Sequence, residues 1–264
     1  MSTELIVPSA TTVLQTQQQT PRRGMPVLLR RLLPLIVVAL VLLATFLWVS
    51  SLELDSIEQR TLNGDYIASR IGEHLVLSIL AAILVAVLAI PAGIAVSRSR
   101  SRVFRGIVIG IANIGQATPA IGVVILLAIV WQTGFTTALV ALVVYSFLPV
   151  LQNTIAGLAQ VDPNIRESAR GMGMTSGQVL RRVELPLASP VILAGLRTAL
   201  VFAVGVATVA TFINAGGLGD MIVNGLKLQR YPVLIVGAIL VAAIAVLIDW
   251  AAGVVEDIVR PKGL

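Results

Sequence analysis

DPNIRESARGMGMTSGQVLRRVELPLASP, residues 162–190, is a conspicuously polar, punctuated stretch inside an otherwise apolar chain of 264 residues. Asp162 is a capping residue and Pro163 is preorganised for the first helical position. The helix they start is expected to run through Ile165, Glu167 and Ala169. Gly171 and Gly173 then offer a left-handed stop. Thr175 and Gln178 fit the reciprocal capping box of a second helix, which Pro186 is expected to end or kink before the next apolar run. Two short helices joined by a Gly-Met-Gly-Met elbow follow. Ser168, Ala169 and Gly173 are small enough for another surface to come close, and Met172 and Met174 supply adaptable apolar contact. Arg166, Arg170, Arg181 and Arg182 suit acidic groups or lipid phosphate. On the residues alone two readings stay open, a loop resting on anionic lipid and a dock for another protein.

The composition fixes the class. The chain is 57% hydrophobic and 12% charged, with mean hydropathy +0.95, about half the charge of an ordinary soluble domain. Its polar residues cluster between uncharged runs long enough to span a bilayer, which takes roughly 20 residues. This describes an all-α integral membrane protein with about six transmembrane helices. Runs at 32–52 and 76–96 give the first two spans. Residues 106–161 hold no charge over 56 positions, too long for one crossing. A turn at Gln132-Thr133-Gly134 divides them into spans near 118–131 and 136–151. Residues 106–116 are then a lead-in, broken or kinked around Asn113–Pro119. Runs at 191–213 and 231–253 complete the set.

The basic residues set the orientation. With the N-terminus inside, 15 of the 19 arginines and lysines fall on the cytoplasmic side and only Arg60, Arg70, Lys227 and Arg230 outside, as the positive-inside rule requires. Both termini are then cytoplasmic. A disordered cytoplasmic tail is expected at 1–30, a first membrane helix at 31–53, a core at 75–255 containing the loop 155–190, and a cytoplasmic tail at 256–264. The first span begins about thirty residues in and precedes acidic sequence, so it is read as retained rather than cleaved. The arginines are spread over several loops, which excludes a nucleic-acid-binding domain. The absence of cysteine excludes disulfides and thiolate chemistry.

The loop resembles the coupling motif of permease subunits in binding-protein-dependent ABC importers, which reads Glu-Ala-Ala, three residues, Gly, nine residues, then Ile-x-Leu-Pro. Here it reads Glu167-Ser168-Ala169, Gly173, then Val183-Glu184-Leu185-Pro186, with the spacing kept and mild changes at Ser168 and Val183. The stretches GQATPAIGVVILL (115–127), YSFLPVLQNTIAGL (145–158), 169–200 and ATVATFINAGGLGDMIVNGL (207–226) resemble the osmoprotectant branch, importers of glycine betaine, choline, carnitine or proline betaine. The likeness spans about 75–255. It implies a type I importer permease of the bacterial inner membrane with a cytoplasmic coupling loop. It also implies three partners: a cytoplasmic ABC ATPase, a second copy or a sister permease, and a periplasmic or lipid-anchored binding protein. Contact with the ATPase then falls to Glu167, Ser168, Ala169, Gly173 and Met174, with Met174 packing into the ATPase cleft. Val183, Leu185 and Pro186 form a lever into the fifth span.

Catalysis is not expected here. No phosphate-binding Gly-x-x-x-x-Gly-Lys-Ser/Thr motif occurs, so ATP belongs to the partner subunit and this chain needs no cofactor or metal of its own. The sole histidine, His74, lacks a ligand set and reads as structural or interfacial. Asp249, near the inner end of the last span, reads as snorkelling or paired with a neighbouring arginine.

Polar and glycine positions inside the spans are the pathway candidates: Asn113, Gln116, Thr118 and Pro119 before span three, and Thr208, Thr211, Asn214, Gly216, Gly217 and Gly219 at the outer end of span five. Each is equally open to helix packing with its polar group bonded to its own backbone, and the glycines to an ordinary exit turn. Gly106 and Gly110 form a lone small-residue contact motif. With three tryptophans and three tyrosines dispersed along the chain, no aromatic cage for a quaternary amine is legible, which leaves substrate selection to the binding protein. Two other classes are weaker: an ATP-independent carrier would want acids at the midplane, and a bare membrane anchor would want no polar residues within spans. An importer permease for another small polar solute, such as an amino acid, stays open beside the osmoprotectant reading.

Overall fold

The computed structural model describes residues 27–259, so most of the expected N-terminal tail and residues 260–264 lie outside the described residues. The described residues form helices α1 (Val27–Ser50), α2 (Ser56–Thr61), α3 (Gly64–Arg98), α4 (Arg102–Ala117), α5 (Ala120–Val130), α6 (Phe135–Gln160), α7 (Pro163–Gly171), α8 (Ser176–Val179), α9 (Leu185–Ala207), α10 (Gly219–Lys227) and α11 (Tyr231–Val259). A π-helical turn at Leu180–Glu184 joins α8 to α9, and a 3-10 segment at Thr208–Ile213 extends α9. Five of the helices are long and apolar enough to cross a membrane, and α4 with α5 forms a bent pair that together is long and apolar enough as well. The chain is a multi-pass membrane protein.

Helix α6 is the hub, packed against α3 and α9. Its most apolar stretch is 56% buried, whereas that of α1, which leans on α11 at the edge, is 6% buried. Lipid is as apolar as leucine, so spans associate through close packing of small residues rather than through hydrophobic burial. The contacts follow that rule. Gly157 of α6 sits against Ala188, and Gly93 of α3 against Thr154. At Gly195 of α9 an added Cβ would lie 2.5 Å from Asn153 Cβ and 3.0 Å from the Pro149 carbonyl oxygen.

Several boundaries differ from expectation. The second span begins at Gly64, twelve residues before 76, because Asn63 caps the helix and Tyr66, Ile67, Ile71 and Leu75 pack against Val204, Leu218 and Met221. The helix expected at 136–151 continues to Gln160. The last helix runs to Val259, so residues 256–259 are helical rather than tail. The expected break before span three falls at Thr118–Pro119, where α4 and α5 meet at 101°. Thr118 is extended (ψ 136°), as a residue preceding proline must be. Alone, the 11 residues of α5 reach only about 16 Å. Together α4 and α5 carry the chain from Arg98 to Gly134, whose N–H donates to Ile213 O (2.7 Å) at the far end of α9.

Pro186 does not end its helix. Helical structure is continuous over Ser176–Ile213, 38 residues. The turn before the proline widens instead, and the Leu185 N–H reaches back five residues to Leu180 O. That widening accommodates a ring which would otherwise press on the carbonyl four residues earlier.

The tight α6–α9 crossing predicts that Gly195→Val destabilises the protein by about 1–3 kcal/mol, the usual cost of overpacking. Gly106→Ala, where nothing lies within 4 Å, is expected to be neutral or slightly stabilising. Tryptophan-monitored thermal unfolding in detergent distinguishes them, and equal midpoints for the two variants contradict the packing.

Candidate functional site

The loop after α6 is built from local bonds. Asp162 accepts the Asn164 N–H (2.8 Å) and starts α7. The elbow closes when Gly173 N–H donates to Arg170 O (2.9 Å) and Met174 N–H to Ala169 O (3.2 Å), a glycine C-cap with Gly173 at φ +84°. Thr175 and Gln178 exchange both capping-box bonds. The loop is fastened to the bundle through three buried side chains, Ala169, Val179 and Glu184. Leu185 packs on the cluster of Leu158, Val161, Ala188 and Ile192. Val183 is half-buried and Pro186 exposed.

The loop displays Glu167, Ser168 and Gly173 together with Ile165 (45% exposed) and Met172 (72%). Met174 closes the elbow through its N–H and is half-buried, and Met172 beside it is more fully exposed. Glu167 has no hydrogen-bond or ion-pair partner among the described residues.

Glu184 was legible in the sequence only as a spacer in the motif. Its side chain is 5% exposed and forms an ion pair with Arg98 at the end of α3. A buried carboxylate without such a partner would be expensive. Its i, i+4 register with Leu180 and Ala188, on a helix facing the core, is the signal that it points inward.

At the opposite end of the bundle the structure gathers the second group of predicted residues around α3. Gly217 N–H donates to Glu73 Oε2 (2.8 Å). Arg70 pairs with Glu73 (2.8 Å) and with Asp220 (2.9 Å), and lies 5.2 Å from the centre of the Tyr66 ring. The Thr211 hydroxyl donates to Asp220. Asn214, Gly216 and Gly217 all have positive φ, and an added Cβ on Gly219 would strike Thr208 O. The glycines thus form a tight re-entrant turn seated on α3. His74 is fully buried there and donates from Nε2 to Val204 O (3.0 Å), while Nδ1 has no partner. Arg70, Glu73 and Asp220 were legible only as charges outside the spans; the Arg-x-x-Glu spacing on one helix face was their signal.

The first group of pathway candidates does not join this cluster. Asn113 and Thr118 bond to Ile109 O and Ile114 O, and Thr208 to Gly205 O, each within its own helix. Gln116 is half-buried, and next to it Gly115 packs on Val144 of α6. Pro119 opens α5, which meets the 3-10 segment through apolar contacts of Val124, Ala210 and Ile213. A Cβ added at Gly106 or Gly110 would meet nothing within 4 Å among the described residues. Asp249 is paired, with Arg197 Nε and Nη2 each 2.5 Å from one of its oxygens. No group of three metal-ligating side chains is assembled among the described residues.

Residues 89–261 match the family of binding-protein-dependent transport system inner membrane components. The chain belongs to this family. Relatives extend the match. It is 42% identical over 202 residues to the glycine betaine/carnitine/choline transport system permease protein OpuCB of Bacillus subtilis, covering 76% of this chain and 92% of that one. It is 38% identical over 221 residues to the osmoprotectant import permease protein OsmY of Salmonella typhimurium, covering 84% and 92%. The fold is similar to a chain of the inward-facing MetNI methionine ABC transporter (TM-score 0.65, 21% identity, 74% of this chain and 96% of that one). A chain of a bacterial alginate ABC transporter superposes with TM-score 0.62 at 17% identity, over 90% and 99%.

In this transport-system subunit the Arg70–Asp220 pair joins two segments 150 positions apart. Both side chains are 21% exposed, so Asp220→Asn is expected to cost on the order of 1–3 kcal/mol. Arg70→Gln with Asp220→Asn should cost less than the two single changes summed. Additive losses in thermal unfolding would refute the pairing.

Proposed function

We propose that the chain is the membrane-spanning permease of an ATP-driven importer that passes glycine betaine, choline, carnitine or a related quaternary amine from a binding protein to the cytoplasm. One observation carries the substrate class: permeases named for these solutes align with this chain at about 40% identity over nearly their whole length. The charge asymmetry of the loops supports placing residues 162–186 and both ends of the chain in the cytoplasm of a bacterial inner membrane. A cytoplasmic ABC ATPase then binds below, a second copy or a sister permease completes the pore, and a periplasmic or lipid-anchored binding protein delivers the substrate.

In this reading Glu167, Ser168, Gly173 and Met172 meet the ATPase, because they are the exposed face of a loop whose other face is fastened through Ala169 and Val179. Closure of the ATPase dimer pushes the loop. Val183, Leu185 and Pro186 pass the push on through 38 residues of continuous helix that end in the turn at 208–219. Helix α3 follows through the Glu184–Arg98 pair. Asn113, Gln116, Thr118 and Pro119 at the break and Thr208, Thr211, Asn214 and the three glycines at the far end are the proposed edges of the route. A zwitterion with no net charge needs polar groups there but no fixed counter-ion.

The test is reconstitution with the ATPase, the binding protein and any sister permease, followed by labelled glycine betaine uptake. Uptake that is ATP-dependent and requires the binding protein supports the assignment; uptake without ATP, or none of any amine, defeats it. Glu167→Ala and Gly173→Asp are expected to lower uptake per ATP hydrolysed by roughly 5- to 150-fold, the span of typical site-to-site coupling. Membrane insertion should be unchanged. Wild-type uptake in both variants would exclude the coupling role.

A further inference from the structure

A second feature at the loop end has no place in that scheme. Between the ends of α3, α4 and α6 and the face of α7 lies a hollow of about 490 Å³, within the rough 300–1,000 Å³ range of small-ligand sites. Four guanidiniums line it: Arg98 from α3, Arg105 from α4, and Arg166 and Arg170 from α7. Its one acid, Glu184, is already held by Arg98. Arg105, Arg166 and Arg170 have no carboxylate within 4 Å among the described residues; Arg105 reaches only the Ser99 carbonyl (3.2 Å). Three uncompensated cations around one cavity call for an anion. The floor is apolar, formed by Ile155, Leu158 and Ala159.

We propose that this hollow binds the phosphate of an anionic phospholipid headgroup, with the acyl chains lying along α4. Two observations favour phosphate on a lipid over an acidic side chain of a protein partner. Helix α4, which carries Arg105 into the hollow, also exposes Phe104 (43%) beside it and Val103 (71%) and Ile107 (55%) on its other face, so an anion site and bare hydrocarbon surface share one helix. Arg166 and Arg170 are i, i+4 on α7 and share a face. Ile165, Ser168 and Met172, at i, i+3 and i+7, form a different face, the one displayed outward. The arginines therefore turn away from Ile165, Ser168 and Met172 and toward the hollow. Basic pockets between spans are the sites at which anionic headgroups are held.

The experiment titrates the purified chain, in complex with its ATPase in uncharged detergent, with short-chain phosphatidylglycerol, short-chain phosphatidylcholine and inorganic phosphate. Thermal midpoint is the readout, with native mass spectrometry counting retained lipid. Phosphatidylglycerol is expected to raise the midpoint and remain bound at one per chain, while phosphatidylcholine and phosphate do neither. Arg105→Gln should raise the half-saturating concentration about fivefold, and Arg105→Gln with Arg170→Gln further. Arg181→Gln with Arg182→Gln removes the same charge outside the hollow and should leave it unchanged. Arg105→Lys, which keeps the charge, separates lost binding from lost folding and should bind close to wild type.

The proposal fails if inorganic phosphate alone reproduces the shift, since the site then takes a free anion. It fails if the 181/182 variant weakens the lipid equally, since the attraction is then general surface charge. It also fails if the 105/170 variant keeps its lipid and instead loses the ATPase, since the hollow then belongs to a protein.

Discussion

A backbone in hydrocarbon must satisfy its own N–H and C=O groups, and regular helix is the only open-chain way to do so. Everything distinctive in this chain lies where regular helix gives way. At Thr118–Pro119 two helices turn by 101°. At Leu180–Glu184 a turn widens to π geometry. At 208–219 the helix tightens to 3-10 and then folds into a turn with three positive-φ residues. Each departure carries its own compensation: Gly122 and Val123 N–H groups meet Pro119 O, Leu185 N–H meets Leu180 O, and Glu73 takes the Gly217 N–H. A carboxylate accepting a backbone N–H is a strong bond in a poor solvent. These compensations let the polar segments persist inside an apolar bundle.

The loop at 162–186 is stiff for a related reason. Its caps are all made within two to five residues, so its local shape rests on bonds of its own. Its burial is concentrated in Ala169, Val179 and Glu184, which leaves the opposite face uncommitted. In the proposed coupling role, an element with one anchored and one open face would pass displacement on, whereas a flexible loop would absorb it. The π turn lets Pro186 sit inside a continuous helix.

Much of this was legible in the chain. The apolar runs and the arginine asymmetry marked the spans, and Asp162, Gly173 and the Thr175–Gln178 box marked the loop, because caps act over three or four residues. The break at Thr118–Pro119 was legible for the same local reason. What stayed hidden was long-range. Arg98 meets Glu184 across 86 positions and Arg70 meets Asp220 across 150, and no local rule pairs them. The Pro186 expectation went astray by treating a proline's lost bond as a break, when one extra residue in the preceding turn relieves the clash.

The two long-range pairs have a joint consequence. Arg98–Glu184 ties α3 to the helix of α9 at the loop end, and the Arg70, Glu73 and Asp220 network ties α3 to the turn after α9 at the other end. Helix α6 fills the space between them through glycine contacts too close to slide. These three helices are therefore clamped together, because sliding α9 along α3 would break a part-buried ion pair at one end or strand Arg70 at the other. Helices α4 and α5 are held far more lightly: each contributes a single residue to the fully buried core, Ala112 and Val124, and they are joined by a sharp bend. A displacement delivered at the loop is resisted least where burial is least. On the proposed function, relative motion within the chain would fall between the clamped trio and the α4–α5 elbow, whose break carries Thr118 and Pro119.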